Sequence, residues 1–141
     1  TVYRHFPDEG AQIDACSAHW SSLNPPPDPT PWLEIGDPNQ RLRAALLDTY
    51  RWYAGTGEMV EKLLRDAPAV PAIAAKMKAR TAGLEAITDL LMRGRPERGA
   101  NRRRVRAAIA HALEFETWHS LVSRQGLSED EAADLMVALV G

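Results

Sequence analysis

The chain has 141 residues, 45% of them hydrophobic and 26% charged, which is typical of one globular domain and excludes wholesale disorder. Its net charge of −2 argues against a surface that coats nucleic acid, and its single cysteine excludes a disulfide framework or a cysteine-based zinc site. Because neither a signal peptide nor an apolar run of about 20 residues is found, we expect a cytoplasmic protein without a membrane-spanning segment.

The first predicted helix begins after Pro7, where Asp8 is a good N-cap, and it ends at Leu23. The next stretch, residues 24–31, contains five of the ten prolines and is therefore expected to be an extended, stiff connection. We expect Trp32, Leu33 and Ile35, directly after it, to hold this connection against the body of the domain.

The pair Asp37-Pro38 predicts the start of a second helix, since aspartate caps helix N-termini and proline suits the first helical position. Glycines at positions 55 and 57 predict that this helix breaks there. The apolar residues at 59–64 then predict a short third helix.

A longer helix is predicted over residues 71–93, where Arg80 completes a heptad-like spacing of otherwise apolar residues. Asn101 is expected to cap the next helix, which Gly126 closes in a left-handed conformation. Ser128 and Glu131 have the spacing of a capping box that opens the last helix. No segment shows sustained strand-like alternation, so the sequence predicts an all-α fold of about six helices.

The opening stretch TVYRHFPD resembles the end of the DNA-binding unit of tetracycline-repressor (TetR) family transcription regulators, which closes with a pattern like T-[VL]-Y-x-H-F-P. The resemblance implies that residues 1–7 are the remnant of a helix-turn-helix recognition helix. Residues 8–141 would form the helical ligand-binding and dimerisation domain. The DNA-contacting residues implied by the match are Thr1, Tyr3, Arg4 and His5. Many family members carry a lysine where this chain has Glu9, so one phosphate contact is expected to be lost.

Methionine and aromatic side chains on three predicted helices suit a small-molecule cavity in the middle of the domain. A solid core is the alternative interpretation of the same apolar stripes. The residues expected to bind a ligand are Thr49, Trp52, Tyr53, Met59, Met77, Thr81, Leu84 and His111.

The last two predicted helices carry a wide apolar surface. Such helices can pair with their two-fold copies in a four-helix interface, as the family does. The residues expected in the dimer interface are Ile109, Ala112, Phe115, Trp118, Val122, Leu135, Met136 and Leu139.

No pattern in the sequence predicts catalysis, a cofactor or a metal. Glu116 and His119 have the spacing of a metal-ligand pair, but a di-metal bundle needs that motif twice. Cys16 and His19 lack a third group to orient them, so an enzyme is not expected. The arginine-rich stretch 93–106 contains no aromatic residue for base stacking and is expected to be a solvated helix start or a salt-bridge site.

The expected function is that of a ligand-responsive DNA-binding transcription regulator that acts as a repressor. Its expected partners are a second copy of the chain, an unidentified small-molecule effector and palindromic operator DNA, which only the full-length protein would bind. The alternative is a helical protein-interaction module without a DNA role, which would use the exposed prolines or the C-terminal helices as its partner surface.

Overall fold

The structure, a computed structural model, describes residue 16 and residues 18–141, and every regular element in this part of the chain is a helix. Residues 18–23 are helical. The elements that follow are α1 (Thr30–Leu33), α2 (Pro38–Asp66), α3 (Pro71–Met92), α4 (Gly99–Leu113), α5 (Phe115–Trp118), a π-helical segment (His119–Arg124) and α6 (Glu129–Val140). The predicted all-α fold is confirmed. The helix remnant predicted at residues 1–7 lies outside the described residues.

The helix-end signals that depend on neighbouring residues are found as the sequence predicts. The Asp37 carboxylate accepts a hydrogen bond from the Gln40 amide at 2.8 Å at the start of α2. Ser128 Oγ accepts from the Glu131 amide at 3.1 Å, while the Glu131 carboxylate accepts from the Ser128 amide at 3.3 Å. Gly126 has φ +79°, which favours glycine because it has no Cβ. These contacts satisfy backbone groups that a helix end leaves unpaired.

The predicted break at the paired glycines is wrong, since α2 runs for 29 residues without interruption through positions 55 and 57. Glycine costs a helix about 1 kcal/mol relative to alanine, but tertiary packing outweighs such a cost. Tyr53 and Val60, on either side of the glycines, are buried in the core. The Thr56 hydroxyl also stays within the helix and donates to the Trp52 carbonyl at 2.7 Å.

The predicted helix from Asn101 differs from the structure at its start and in its continuity. α4 begins at Gly99, two residues before Asn101, and its N-cap Arg98 provides no side-chain hydrogen bond. The helix ends before Glu114, whose φ of −66° and ψ of 143° are extended. The sequence around Glu114 has neither glycine nor proline, so nothing in the local pattern indicates this turn.

α2 lies at the centre of the domain and fixes the end of α4 through two tyrosines one turn apart. The Tyr50 hydroxyl donates to the Ala112 carbonyl at 2.6 Å, and the Tyr53 hydroxyl donates to the Leu113 carbonyl at 2.7 Å. Both hydroxyls therefore satisfy carbonyls in the last turn of α4, which have no partner within the helix. The largest fully buried side chains are Trp32, Tyr50, Tyr53, Leu42, Leu46, Leu91, Ile109, Leu113 and Thr88.

The connections around the proline-rich stretch are held by two buried side chains. Trp32 is fully buried and its indole Nε1 donates to Asp48 at 2.8 Å, which agrees with its expected role as an anchor, whereas Leu33 is 47% exposed and does not anchor the connection. The Arg41 guanidinium donates to the Ile35 carbonyl at 3.0 and 2.7 Å and to the Arg93 carbonyl at 2.9 Å. None of the described helices combines the length and apolar character needed to cross a membrane.

Candidate ligand-binding cavity

A cavity of about 660 Å³ lies between α2, α3 and the chain that runs from residue 16 to residue 27. This volume falls within the roughly 300–1,000 Å³ typical of small-molecule sites. The helical residues 18–23 and the prolines that follow them thus form one wall, and the two long helices form the others.

The cavity lies where the sequence predicts one, and most of the expected ligand-binding residues are on its wall. Six of the eight line it, four from α2 and two from α3: Thr49, Trp52, Tyr53, Met59, Met77 and Leu84. The mixed methionine and aromatic lining follows from the shared face that these residues occupy on each helix. The described part of the domain is therefore not a solid core at this position.

Two expected ligand-binding residues, Thr81 and His111, do not line the cavity. Thr81 lies on the exposed side of α3, and its hydroxyl donates to the Met77 carbonyl at 3.0 Å. His111 is exposed near the end of α4, a helix that contributes nothing to the cavity wall. The same reason applies to both residues: the sequence pattern does not show whether a polar residue beside an apolar stripe faces the interior or the solvent.

Several more residues complete the wall, and all of them except Ile87, which shares the apolar stripe of Leu84, were not expected there from the sequence. The early part of the chain contributes Cys16, Trp20, Ser21, Asn24, Pro26 and Pro27, and the two long helices add Val60, Lys62, Leu63, Asp66, Ile73, Lys76, Arg80, Gly83 and Ile87. The sequence did indicate that Arg80 lies on the same side of α3 as the apolar wall residues, because it occupies a heptad-like position among them. A proline-rich connection gives no comparable sign of which side it packs on.

Arg80 and Tyr53 form the main polar contact across the cavity wall. Arg80 Nη2 donates to the Tyr53 hydroxyl at 2.7 Å, and the guanidinium carbon lies 5.6 Å from the centroid of the Tyr53 ring. Burial of the Tyr53 hydroxyl raises its pKa to about 12, so the phenol stays neutral at physiological pH. Arg80 Nε is also buried, but it has no hydrogen-bond partner in the described part of the chain.

Thr49 is the second residue on the wall with an unused polar atom. Its side chain is only 5% exposed, and its Oγ1 has no hydrogen-bond partner among the described residues. The other described threonines behave differently, since each donates its hydroxyl to an acceptor: Thr30, Thr56, Thr81, Thr88 and Thr117. A buried polar atom without a partner is costly. Arg95 Nε, Glu97 Oε2 and Trp118 Nε1, on residues away from the cavity, share this property.

An aromatic cluster extends from the cavity wall into α5 and the segment after it. The Tyr53 ring meets Phe115 edge to face, with centroids 5.5 Å apart, and Phe115 lies 5.5 Å from Trp118. His119 stacks on Phe115 at 5.8 Å. Tyr53 therefore belongs both to this cluster and to the cavity wall.

Burial in the single chain bears on the predicted dimer interface. Five of the eight residues expected there are buried in the core, with at most 7% of each exposed: Ile109, Ala112, Phe115, Trp118 and Met136. Val122 is half-buried against the same core. Only Leu135 and Leu139 are exposed, Leu139 to 68%. The apolar pattern was recognised correctly, but an apolar stripe does not distinguish the core from an interface.

The arginine-rich stretch is partly exposed to solvent, and it contains one buried arginine and one surface salt bridge. Arg95 is buried and donates to the Asn39 side chain at 3.0 Å, and burial lowers its pKa from the ordinary value. Arg106 pairs with Asp89 on the surface of α3. The expected DNA-contacting residues, Thr1, Tyr3, Arg4 and His5, lie outside the described residues.

Comparison of the chain with protein-family models, with curated proteins and with solved structures gives no match. Within the described ranges, no group of three or more His, Cys, Asp or Glu side chains is placed to hold a metal ion. The cavity and the resemblance of residues 1–8 are therefore the two observations that bear on function.

Proposed function

We propose that this chain is the ligand-binding domain of a TetR-like transcription regulator, a cytoplasmic repressor that a small molecule in the cavity controls. The observation that carries the proposal is the composition of the cavity wall, which includes Trp20, Ser21 and Asn24. In the TetR resemblance these residues end the helix that leads away from the DNA-binding unit. A molecule in the cavity would therefore contact the element that connects the ligand to the DNA.

A hydrogen bond supports this route from ligand to DNA. Trp52 lies on the cavity wall, and its indole Nε1 donates to the Asn24 carbonyl at 3.2 Å. A ligand that shifts the Trp52 ring would move or break this bond and displace the end of the connecting helix. A displacement of a few ångströms is enough to spoil the match to DNA half-sites about 34–36 Å apart. By linkage, DNA would weaken ligand binding by the same factor.

Regulators of this kind read palindromic DNA as two-fold dimers, so the proposal includes a homodimer. The exposed apolar residues Leu135 and Leu139 of α6 support a contact at this end of the chain. Palindromic operator DNA would be bound only by a full-length protein that carries the whole helix-turn-helix.

The test is sequence-specific DNA binding by a longer protein that carries the whole helix-turn-helix module which the TetR resemblance implies. Selection from a random duplex library should enrich a palindromic site, and fluorescence anisotropy should show its affinity well above that for a scrambled duplex. The 141-residue chain is the matched control, and it should show no such preference because one partial helix cannot hold a register. Equal affinity of the longer protein for both duplexes would favour the protein-interaction module instead.

A further inference from the structure

Arg80 is a charged residue on a mainly apolar cavity wall. Its Nη2 donates to the Tyr53 hydroxyl at 2.7 Å. Arg80 Nε and Thr49 Oγ1 are buried and have no hydrogen-bond partner in the described part of the chain. Because these two atoms are covered by the protein, a ligand in the cavity can bond only to the other guanidinium nitrogens of Arg80.

The described residues on the wall carry both signs of charge, with Lys62 and Arg80 as cations and Asp66 as an acid. Arg80 is only partly exposed and forms no ion pair with a carboxylate of the described residues. A guanidinium withdrawn from water needs an anionic partner, and its planar group of donors fits a carboxylate well.

We infer that the cavity binds an organic acid with one carboxylate head and an apolar body, the head at the Arg80 guanidinium. The carboxylate pairs with the Arg80 charge, and the apolar body lies against Trp52, Met77 and Leu84. A neutral ligand would leave the Arg80 charge without a counter-ion, and a cation would be repelled by it. The inference rests on the proposed function in one respect, namely that the cavity is the effector site.

The test is isothermal titration calorimetry of the chain with three probes of equal length that differ in the head group: decanoate, 1-decanol and decylammonium. We expect decanoate to bind at least about tenfold more tightly than decanol, because a charge-assisted hydrogen bond is stronger than a neutral one. Decylammonium should bind more weakly than either.

The variant that tests the position of the head is Arg80→Gln, with Arg51→Gln as its matched control. Arg51 is exposed on α2 and does not line the cavity, so its substitution removes the same charge without touching the site. Arg80→Gln should lower decanoate affinity about tenfold or more and leave decanol affinity unchanged. Arg51→Gln should change neither. If Arg80→Gln does not fold, the ratio of decanoate to decanol affinity in the unaltered chain decides the question.

Equal binding of decanoate and decanol would overturn the inference, as would preferential binding of decylammonium or no binding of any probe. An equal loss of decanoate affinity in the two arginine variants would overturn it as well. The regulator proposal fails separately. Decanoate binding in a longer protein that shows no sequence-specific DNA binding would sink that proposal and leave the acid site standing.

Discussion

Gly57 of α2 lies against the indole of Trp118, so closely that a Cβ on Gly57 would be 3.1 Å from both Cζ3 and Cη2 of the ring. The indole has little room to move away, because Phe115 packs beside it with ring centroids 5.5 Å apart. Tyr53 borders it at 6.0 Å. The absence of a side chain at position 57 thus allows α2 and α5 to approach each other.

The two glycines of α2 should respond oppositely to alanine. Around Gly55 a Cβ would meet nothing within 4 Å, so Gly55→Ala should raise the free energy of unfolding by about 0.5–1 kcal/mol. Gly57→Ala gains the same helix propensity but overpacks the Trp118 contact, which typically costs about 1–3 kcal/mol. We expect it to lower the free energy of unfolding by about 1 kcal/mol. Urea unfolding followed by circular dichroism measures both, and equal effects would contradict the close contact.

The buried hydroxyl of Thr49 should lower the stability of the folded chain. Thr49→Val replaces a buried hydroxyl without a partner by a methyl group, which should raise the free energy of unfolding by about 1 kcal/mol. Thr88→Val is the matched control, because its hydroxyl donates to the Leu84 carbonyl at 2.8 Å and is lost with the substitution. We expect no stabilisation there. If urea unfolding shows the same change for both, Thr49 has no unused hydroxyl.

Stability should fall in alkaline solution because burial raises the pKa of Tyr53 from 10.0 to about 12. A tyrosine with a raised pKa favours its neutral form in the folded state, so its stabilisation is complete below about pH 10. It is lost as the pH rises through the folded-state pKa. Urea midpoints measured from pH 8 to 12 should therefore decline above about pH 10. The decline should be shallower in Tyr53→Phe, and an identical slope would contradict the burial of the hydroxyl.

Aspartate substitutions should separate the core from the surface of the C-terminal helices. Trp118 is buried among aromatic rings, so Trp118→Asp should unfold the chain because it places an unpaired carboxylate in the core. Leu139 is 68% exposed, so Leu139→Asp should keep the fold and convert the proposed dimer to a monomer. Circular dichroism reports the first effect and sedimentation velocity the second. A Leu139→Asp chain that remains dimeric would exclude α6 as the dimer contact.

The features that could be predicted from the sequence depend on residues close together in the chain. The capping box of Ser128 and Glu131 involves residues three apart, and the left-handed turn at Gly126 involves a single residue. The cavity was predictable to a similar degree, because Trp52, Met77 and their neighbours recur at helical spacing on faces that meet.

The features that could not be predicted depend on distant partners. The continuity of α2 at Gly57 is decided by Trp118, which lies 61 residues further along the sequence. The apolar character of Ile109 does not show whether the side chain packs in the core of its own chain or against a second chain. Likewise, the sequence around the two threonines does not show that the Thr88 hydroxyl is hydrogen-bonded and the Thr49 hydroxyl is not.

The tyrosine pair that satisfies the end of α4 determines which parts of the domain a ligand can move. Because Tyr50 and Tyr53 both bond to the last turn of α4, sliding α2 along α4 would leave two buried carbonyls without donors. These two helices should therefore behave as one stiff frame. A bound molecule can displace at lower cost residues 18–27, which face that frame across the cavity.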